Sequence, residues 1–531
     1  MAALRHETHY GDRVVRCFAE RPAHIDAMFR AVAARNPVRD ALVLGDERIT
    51  YKALDEKVEA VAGNLAQRGF SKGDRLALLL GNCFDFVTAV LAAARIGVIV
   101  VPMSTRQRAP ETEFILTQCE AAGLIYQGDL AEHLPARTAL PHLRECFVVG
   151  DGPGTSFAQL TAPCPAPSVA IAEEDVFCLL YTSGTTGRPK GAMLTHLGTV
   201  HSLMHYEQGM ALRDGEVSVL AVPASHVTGL VAIILTMLRV GGSIVLLPAF
   251  KARNFMEIAA RERMTHTLLV PAMYNLCLLD PDLAQFDLST WRIGGFGGAP
   301  MPQATIARIA AAWPALTLVN VYGSTETTSP VTMLPPGEAA TRADTVGKAL
   351  PCADVIAMDD EGRAVAPGTS GELWIAGPMI IPGYWQNPEA DRTAFCGGYW
   401  KSGDIGSVDA DGYVRVLDRM KDLINRGGYK VYCIEVESVL ARHPGVVECA
   451  VIGRPDPVLG ERVHAVVVAR NAGITEAELK RFCAENLSDY KVPDTIAFLP
   501  DALPRNANGK VQKTALRETV ASPLPPPRRN A

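Results

Sequence analysis

Short apolar runs at 76–80, 98–101, 176–180, 217–222, 243–247, 267–270 and 317–321 have the length and β-branched content of buried strands. Stretches with helical period separate them, among them 54–67, 255–263 and 304–312, the last closed by Trp313 and Pro314. This alternation predicts an α/β fold in which parallel sheets are covered by helices. After about Gly347 the pattern changes to short strands and turns, such as 371–375 and 412–417, which predicts a β-rich subdomain. Beyond Lys421 a compact mixture begins: helix 434–442, strands 446–452 and 461–470, helix 475–485, strand 495–498 and a last helix near Thr514. The expected organisation is a large N-terminal unit of layered α/β subdomains with a β-rich subdomain over 1–420. A small mobile α+β domain follows over 421–521. The Pro- and Arg-rich end, 522–531, is expected to be disordered, and no internal repeat is visible.

Composition narrows the functional classes. The chain has 531 residues, 48% hydrophobic and 20% charged, with a formal net charge of −6, so nothing basic invites nucleic acid. The most apolar stretch, 230–238, stops at Arg239, Gly241 and Gly242, far short of the roughly 20 residues that span a bilayer. A buried helix is expected there. The first seventeen residues carry His6, Glu7, His9, Asp12 and Arg13 with no apolar core, which does not read as a signal peptide, and the expected location is the cytoplasm. The 12 cysteines form no CxxC pair and are expected as reduced, mostly buried thiols. His201 and His205 lie four apart without a third ligand, so a packed or solvated helix face is preferred to a metal site.

The chemical signal begins at Tyr181-Thr182-Ser183-Gly184-Thr185-Thr186-Gly187-Arg188-Pro189-Lys190-Gly191, directly after an apolar strand. Glycines let backbone N–H groups approach an anion, the hydroxyls can donate to its oxygens, and Lys190 adds a mobile positive charge. A P-loop is excluded by spacing, because Gly184 is followed by Pro189-Lys190 where that motif needs Gly-Lys. A second cluster, Asn320-Val321-Tyr322-Gly323-Ser324-Thr325-Glu326-Thr327-Thr328, follows another apolar run, at the kind of strand end where open α/β sheets bind ligands.

Together these segments resemble the adenylate-forming, AMP-binding superfamily of acyl-CoA synthetases, firefly-type luciferases and peptide-synthetase adenylation domains. The resemblance continues in order through Ile49-Thr50-Tyr51, Gly73-Asp74-Arg75, Gly297-Gly298-Ala299-Pro300, Gly371-Glu372-Leu373, Tyr399-Trp400-Lys401-Ser402-Gly403-Asp404, Asp418-Arg419-Met420-Lys421-Asp422 and Asn508-Gly509-Lys510. It implies an acid–thiol ligase of the fatty-acid or aryl-CoA type, with ATP and Mg²⁺ at the site and coenzyme A as co-substrate. Thr182, Ser183, Gly184, Thr185, Thr186, Gly187 and Lys190 would hold the pyrophosphate portion of ATP. Tyr322 would stack on adenine, with Gly298, Ala299 and Pro300 on its other face and Asn320 and Gly323 alongside. Thr325 would donate to the α-phosphate and Glu326 would hold Mg²⁺. Asp404, assisted by Arg419, would accept the ribose hydroxyls. Lys510 would bridge the attacking carboxylate and the α-phosphate. Lys421 would be the hinge about which the small domain swings, bringing the Gly427-Gly428 loop to the pantetheine channel.

The same resemblance places His226 and Gly297 at the acid pocket, beside Leu230, Met273 and the residues after Glu326. Most of these are apolar or small, so an apolar acid is expected; His226 as a satisfied core residue carries equal weight. An amino acid is disfavoured because His226 stands where amino-acid-activating relatives usually offer an aspartate. No pantetheine attachment motif follows Lys510, so free CoA is the expected acceptor, with a carrier-protein thiol and a catalytically inactive nucleotide-binding scaffold as alternatives. The sequence leaves a homodimer open. Two departures stand out: the family often has proline where this chain has Cys433, and some aryl-CoA ligases place basic residues where this chain has Val492 and Asp494 around Lys491. Tyr490 is a candidate to stack on the CoA adenine.

Overall fold

The computed structural model describes residues 2–182, 188–470, 473–505 and 511–519. Ser183 to Gly187, Lys510 and the Pro-rich tail therefore lie outside the described residues. Two large sheets form the first part of the chain. A seven-stranded sheet runs in the order Lys190–Thr195, Val176–Thr182, Ile99–Pro102, Arg75–Leu79, Gly123–Gln127, Glu145–Val149 and Thr155–Ser156. Its strands are parallel except for the antiparallel edge Lys190–Thr195. A nine-stranded sheet has at its centre Thr317–Ser324, Ile293–Gly297, His266–Leu269, Val217–Leu220, Ser243–Leu246 and Asp40–Leu44, all parallel, with antiparallel strands at both edges. The fold is α/β with parallel sheets, as the alternation of runs predicts. A third sheet, from Asp354–Met358 to Val414–Arg419, is antiparallel and corresponds to the β-rich stretch. From Ile424–Arg426 onward a separate five-stranded sheet and the helices Cys433–Leu440 and Glu476–Ala484 enclose their own apolar core around Val436, Val451, Val463 and Leu479.

The helices follow from their apolar spacing. In Tyr51–Gln67 the residues Leu54, Val58, Val61, Ala62 and Leu65 recur at helical intervals and are all fully buried. Thr50 caps its start by accepting the Ala53 N–H at 3.2 Å. His196–Gly209 is buried on every side through Tyr206, which removes the hydration its histidines need to ionise. Burial lowers His201 to about 4 and His205 to about 3. Neutral, they serve the backbone: His201 Nε2 accepts the Phe18 N–H at 3.2 Å and His205 Nε2 accepts the Cys352 N–H at 3.3 Å. The packed-face reading of this pair holds.

The apolar stretch 230–238 differs from expectation in its winding. It forms a π-helix over Thr228–Leu235 that continues as α-helix over Thr236–Val240 and ends at Gly241, whose φ of 71° suits glycine. The Thr236 hydroxyl donates to the Val231 carbonyl five residues back, at 2.8 Å, matching the wider turn. Among the described residues no helix is long and apolar enough to cross a membrane. The N-terminal hairpin, Leu4–His9 with Arg13–Phe18, was not visible as apolar alternation because its first strand is almost wholly exposed.

One buried charge joins three helices. Arg95, 2% exposed, donates from Nε to Asp26 at 2.8 Å and from Nη1 to Glu59 at 3.0 Å, tying Phe84–Arg95 to Ile25–Arg35 and Tyr51–Gln67. Removing Arg95 takes from buried Asp26 its buried partner and leaves it only the half-exposed Arg30 at 3.0 Å, at a cost of up to about 3 kcal/mol. Arg95→Met is expected to lower the urea midpoint of the large unit correspondingly. A loss below about 1 kcal/mol would mean that Arg30 and water suffice for Asp26 when Arg95 is removed.

Candidate active site

Because the central strands of the nine-stranded sheet are parallel, the segments leaving Val217–Leu220, His266–Leu269, Ile293–Gly297 and Thr317–Ser324 all emerge at the same edge. That edge carries 221–230, 270–273, 298–300 and 322–326. Asn82, at the exit of Arg75–Leu79 and nearly fully buried, fixes the first of these. Its amide donates to the carbonyls of Val222 (3.1 Å) and Leu247 (2.9 Å) and its oxygen accepts the Ala224 N–H (2.8 Å).

The segment 322–329 is a tight reversal that returns the chain antiparallel, with Gly323 opposite Pro330 and Ser324 opposite Ser329. A Cβ on Gly323 would lie 1.5 Å from the Ser329 carbonyl oxygen, so only glycine fits. Thr328 (φ 49°) and Ser329 (φ 95°) take up left-handed backbone to close the turn. The buried Thr327 hydroxyl accepts the Ser324 N–H at 2.9 Å, and Thr328 Oγ1 donates to the Met379 carbonyl at 2.7 Å. The backbone around Glu326 is pinned by the Ile381 N–H, which donates to the Glu326 carbonyl at 3.0 Å. Thr325 and the Glu326 side chain are half-buried at the mouth of this turn.

Two groups of sequence-predicted residues are brought together. In the first, Glu326 Oε1 accepts from Thr182 Oγ1 at 3.4 Å and from the Tyr384 hydroxyl at 3.1 Å, and Lys190 Nζ lies 5.2 Å from the centre of the Tyr384 ring. Thr182 and Lys190 face each other across an antiparallel pair. Burial, and then the charge of Glu326, hold the Tyr384 phenol well above its ordinary pKa, so it remains a neutral donor.

In the second group, Asp404 Oδ2 accepts from the Tyr322 hydroxyl at 2.6 Å and Oδ1 accepts from Arg419 Nε at 2.7 Å. Asp404 and Arg419 are cross-strand neighbours in register, which fixes that pairing. Burial first, and then the Asp404 charge, raise the Tyr322 phenol far above its usual value. Each Asp404 oxygen keeps a further lone pair for another donor. Asn320 donates to the Thr345 carbonyl at 3.1 Å, leaving its own amide oxygen available as an acceptor. Gly298 (φ 77°), Ala299 and Pro300 are exposed along the same edge, while Gly297 is buried where a Cβ would come 2.4 Å from the Val321 carbonyl oxygen.

His226 is half-buried at the start of the π-helix, and its Nδ1 accepts the Thr228 N–H at 3.3 Å, which places the proton of the neutral ring on Nε2. Lys421, Gly427 and Gly428 are exposed. Gly427 lines a cavity of about 490 Å³ with Arg426, Tyr429, Leu459, Ser488, Asp489 and Tyr490, and the rings of Tyr429 and Tyr490 stack at 4.8 Å. Asp494 pairs with Arg426 at 3.0 Å and accepts the Val463 N–H at 3.0 Å, which gives this departure a structural role. Sequence reading missed Asn82 and Tyr384. The only trace of the first was an isolated asparagine closing an apolar strand, and of the second an aromatic between the Gly371-Glu372-Leu373 and Tyr399-to-Asp404 motifs.

The chain matches the AMP-binding enzyme family over residues 29–385 and the AMP-binding enzyme C-terminal domain over 435–510. It is 34% identical over 514 residues to the long-chain-fatty-acid–CoA ligase FadD13 of Mycobacterium tuberculosis (strain ATCC 25618 / H37Rv), covering 94% of this chain and 99% of that one. Among solved structures it resembles the anthranilate CoA ligase AuaEII in complex with anthranoyl-AMP, with a TM-score of 0.87 and 28% identity over 94% of this chain and 98% of that one. It also resembles o-succinylbenzoate CoA synthetase (MenE) from Bacillus subtilis in complex with ATP and magnesium ion, with a TM-score of 0.81 and 28% identity over 92% and 99% of the two chains. With the two residue clusters at the sheet edge and matches that run from residue 29 to residue 510, the chain belongs to the AMP-binding enzyme family and is an AMP-forming acid–thiol ligase of the acyl-CoA synthetase type.

Proposed function

We propose that this ligase activates an apolar carboxylic acid, fatty or aromatic, as an acyl adenylate and transfers it to free coenzyme A. The observation that carries the choice of acid is the composition of the sheet edge. Val222, Ala224, Val227, Leu230, Met273 and Phe296 are buried there, and His226 is the one titratable side chain between 221 and 230. An ammonium or a second carboxylate on the acid would find no counter-charge in that stretch and would lose its hydration.

In this reading the phosphates of ATP lie between Thr182, the 183–187 loop and Lys190, with the α-phosphate at the Thr325 hydroxyl. Adenine stacks on Tyr322, against Gly298, Ala299 and Pro300. The ribose hydroxyls donate to the remaining lone pairs of Asp404. The Glu326 carboxylate, a hard oxygen donor beside Thr182, suits Mg²⁺, which when bound would neutralise charge on the leaving pyrophosphate. Lys510 would bring a positive charge between the acid carboxylate and the α-phosphate, two anions that otherwise repel. The acid oxygen then attacks the α-phosphorus, pyrophosphate leaves, and the resulting mixed anhydride is open to a thiol. For that step the small unit turns about Lys421, withdrawing Lys510 and presenting Gly427 and Gly428. The cavity beside Gly427, with Tyr490 on its wall, favours a nucleotide-bearing thiol over a carrier-protein arm.

The direct test is ATP–pyrophosphate exchange across a panel of fatty, aromatic, amino and dicarboxylic acids, followed by CoA-dependent AMP release. Fatty or aromatic acids should support both; exchange with an amino acid or dicarboxylate alone would overturn the choice of acid. AMP release that requires a carrier protein would overturn free CoA.

Glu326→Gln keeps the shape and removes the charge, so it should raise the magnesium concentration needed for exchange several-fold with little loss of stability. An unchanged magnesium dependence would remove Glu326 from the metal. Lys510→Ala should lower adenylation by about 100-fold or more, while thioester formation from supplied acyl-AMP survives. Equal loss in both half-reactions would mean that Lys510 serves folding or both conformations.

A further inference from the structure

The segment Asp418-Arg419-Met420-Lys421-Asp422 passes from the antiparallel third sheet into the small C-terminal unit. Asp418 lies on the strand Val414–Arg419, while Cys433 is the first residue of the helix Cys433–Leu440 in the small unit. The two meet: the Cys433 N–H donates to Asp418 Oδ2. The Cys433 thiol points back to the other side of Lys421, donating to the Asp422 carbonyl at 3.0 Å. One residue thus holds the chain on both sides of Lys421.

The surroundings make this a defined contact. Asp418 is 1% exposed and also accepts the Arg419 N–H at 2.8 Å. Burial pushes its carboxyl up to about 6, opposed by Lys513 and by the Arg419 and Cys433 N–H groups. Lys513 is itself held by Glu437 at 2.7 Å, and Arg517 of the same last helix pairs with Asp422 at 2.8 Å. The Cys433–Asp418 bond has its two ends on opposite sides of Lys421 and ties the strand Val414–Arg419 to the first turn of the helix Cys433–Leu440. Any rotation at Lys421 carries Cys433 with the small unit and leaves Asp418 behind, so the bond belongs to one orientation. In that orientation Gly427, Gly428 and Tyr429 face solvent.

We propose that Cys433 is a positioning residue whose backbone N–H, bound to Asp418, latches the small unit in the orientation used for adenylation and must release for thioester formation. This rests on the two half-reactions proposed above. Proline at this position would have no N–H to donate, yet the first turn of a helix tolerates proline, so Cys433→Pro removes the latch while sparing the helix. Hydrogen bonds to a charged group are worth enough to shift a two-state balance roughly tenfold.

Three variants and two readouts test the latch. In Cys433→Pro, the ratio of single-turnover thioester formation to pyrophosphate exchange should rise roughly tenfold. Cys433→Ala, which keeps the N–H, should keep the wild-type ratio. Asp418→Asn, which keeps the shape and loses the charge, should shift the ratio the same way by a smaller factor, and it stands in should the proline variant fail to fold. Trypsin cleavage at Arg419 and Lys421 should be faster in Cys433→Pro than in the wild type or Cys433→Ala, whatever the acid and acceptor prove to be. If the wild type shows no exchange with any acid, the functional reading fails, and the trypsin rates still decide the latch. Equal ratios and equal cleavage in all variants would overturn it, as would an equal shift in the alanine and proline variants.

Discussion

The Asp404 carboxylate is where the nine-stranded sheet, the antiparallel third sheet and the route into the small unit are joined. It takes the Tyr322 hydroxyl from the nine-stranded sheet on one oxygen and Arg419, two residues before Lys421, on the other. Both bonds are short and the carboxylate is 4% exposed, so the interaction is electrostatically strong and expensive to leave half-made. Tyr322 can serve as a flat platform only if its ring is held, and Arg419 can mark the start of the hinge only if its strand is registered on Asp404. The proposed nucleotide platform and the proposed hinge therefore share one charge.

The second cluster works by different means. Glu326 is set by backbone, through a glycine that admits a carbonyl at a distance no side chain allows and through two left-handed residues after it. Its side chain then meets Thr182, which ends a strand of the other large sheet, and Tyr384, over whose ring Lys190 lies. A site assembled from two sheets needs both to be anchored to each other, and Asn82 and Arg95 supply part of that anchoring with buried polar contacts that bridge elements distant in sequence.

What could be read from the sequence, and what could not, follows from the range of each contact. The strands at 176–180, 217–222 and 317–321 were legible because a buried parallel strand is written as a continuous apolar run. Gly323, Thr182 and Lys190 were legible because they sit in short local motifs, and Gly323 is required where the Ser329 carbonyl approaches its Cα. Tyr384 lies 58 residues from Glu326, and Asn82 lies 142 from Ala224, and no periodicity links such pairs. The π winding at Thr228–Leu235 was hidden for another reason, since a fully apolar stretch buries every face and carries no phase to distinguish one helical pitch from another. The hairpin at Leu4–His9 was hidden because that strand is mostly exposed and, after Leu4, polar, while its partner strand enters the core through Val15, Cys17 and Phe18.

The central claim is that an oxygen of the acid attacks the α-phosphorus of ATP, and isotope placement tests it most directly. An acid found active in exchange is prepared with both carboxylate oxygens as oxygen-18 and carried through one turnover with ATP and CoA. Mass spectrometry of the AMP should find one heavy oxygen in each molecule formed, and none in the pyrophosphate. Unlabelled AMP, with the heavy oxygen in pyrophosphate or inorganic phosphate, would contradict an acyl adenylate.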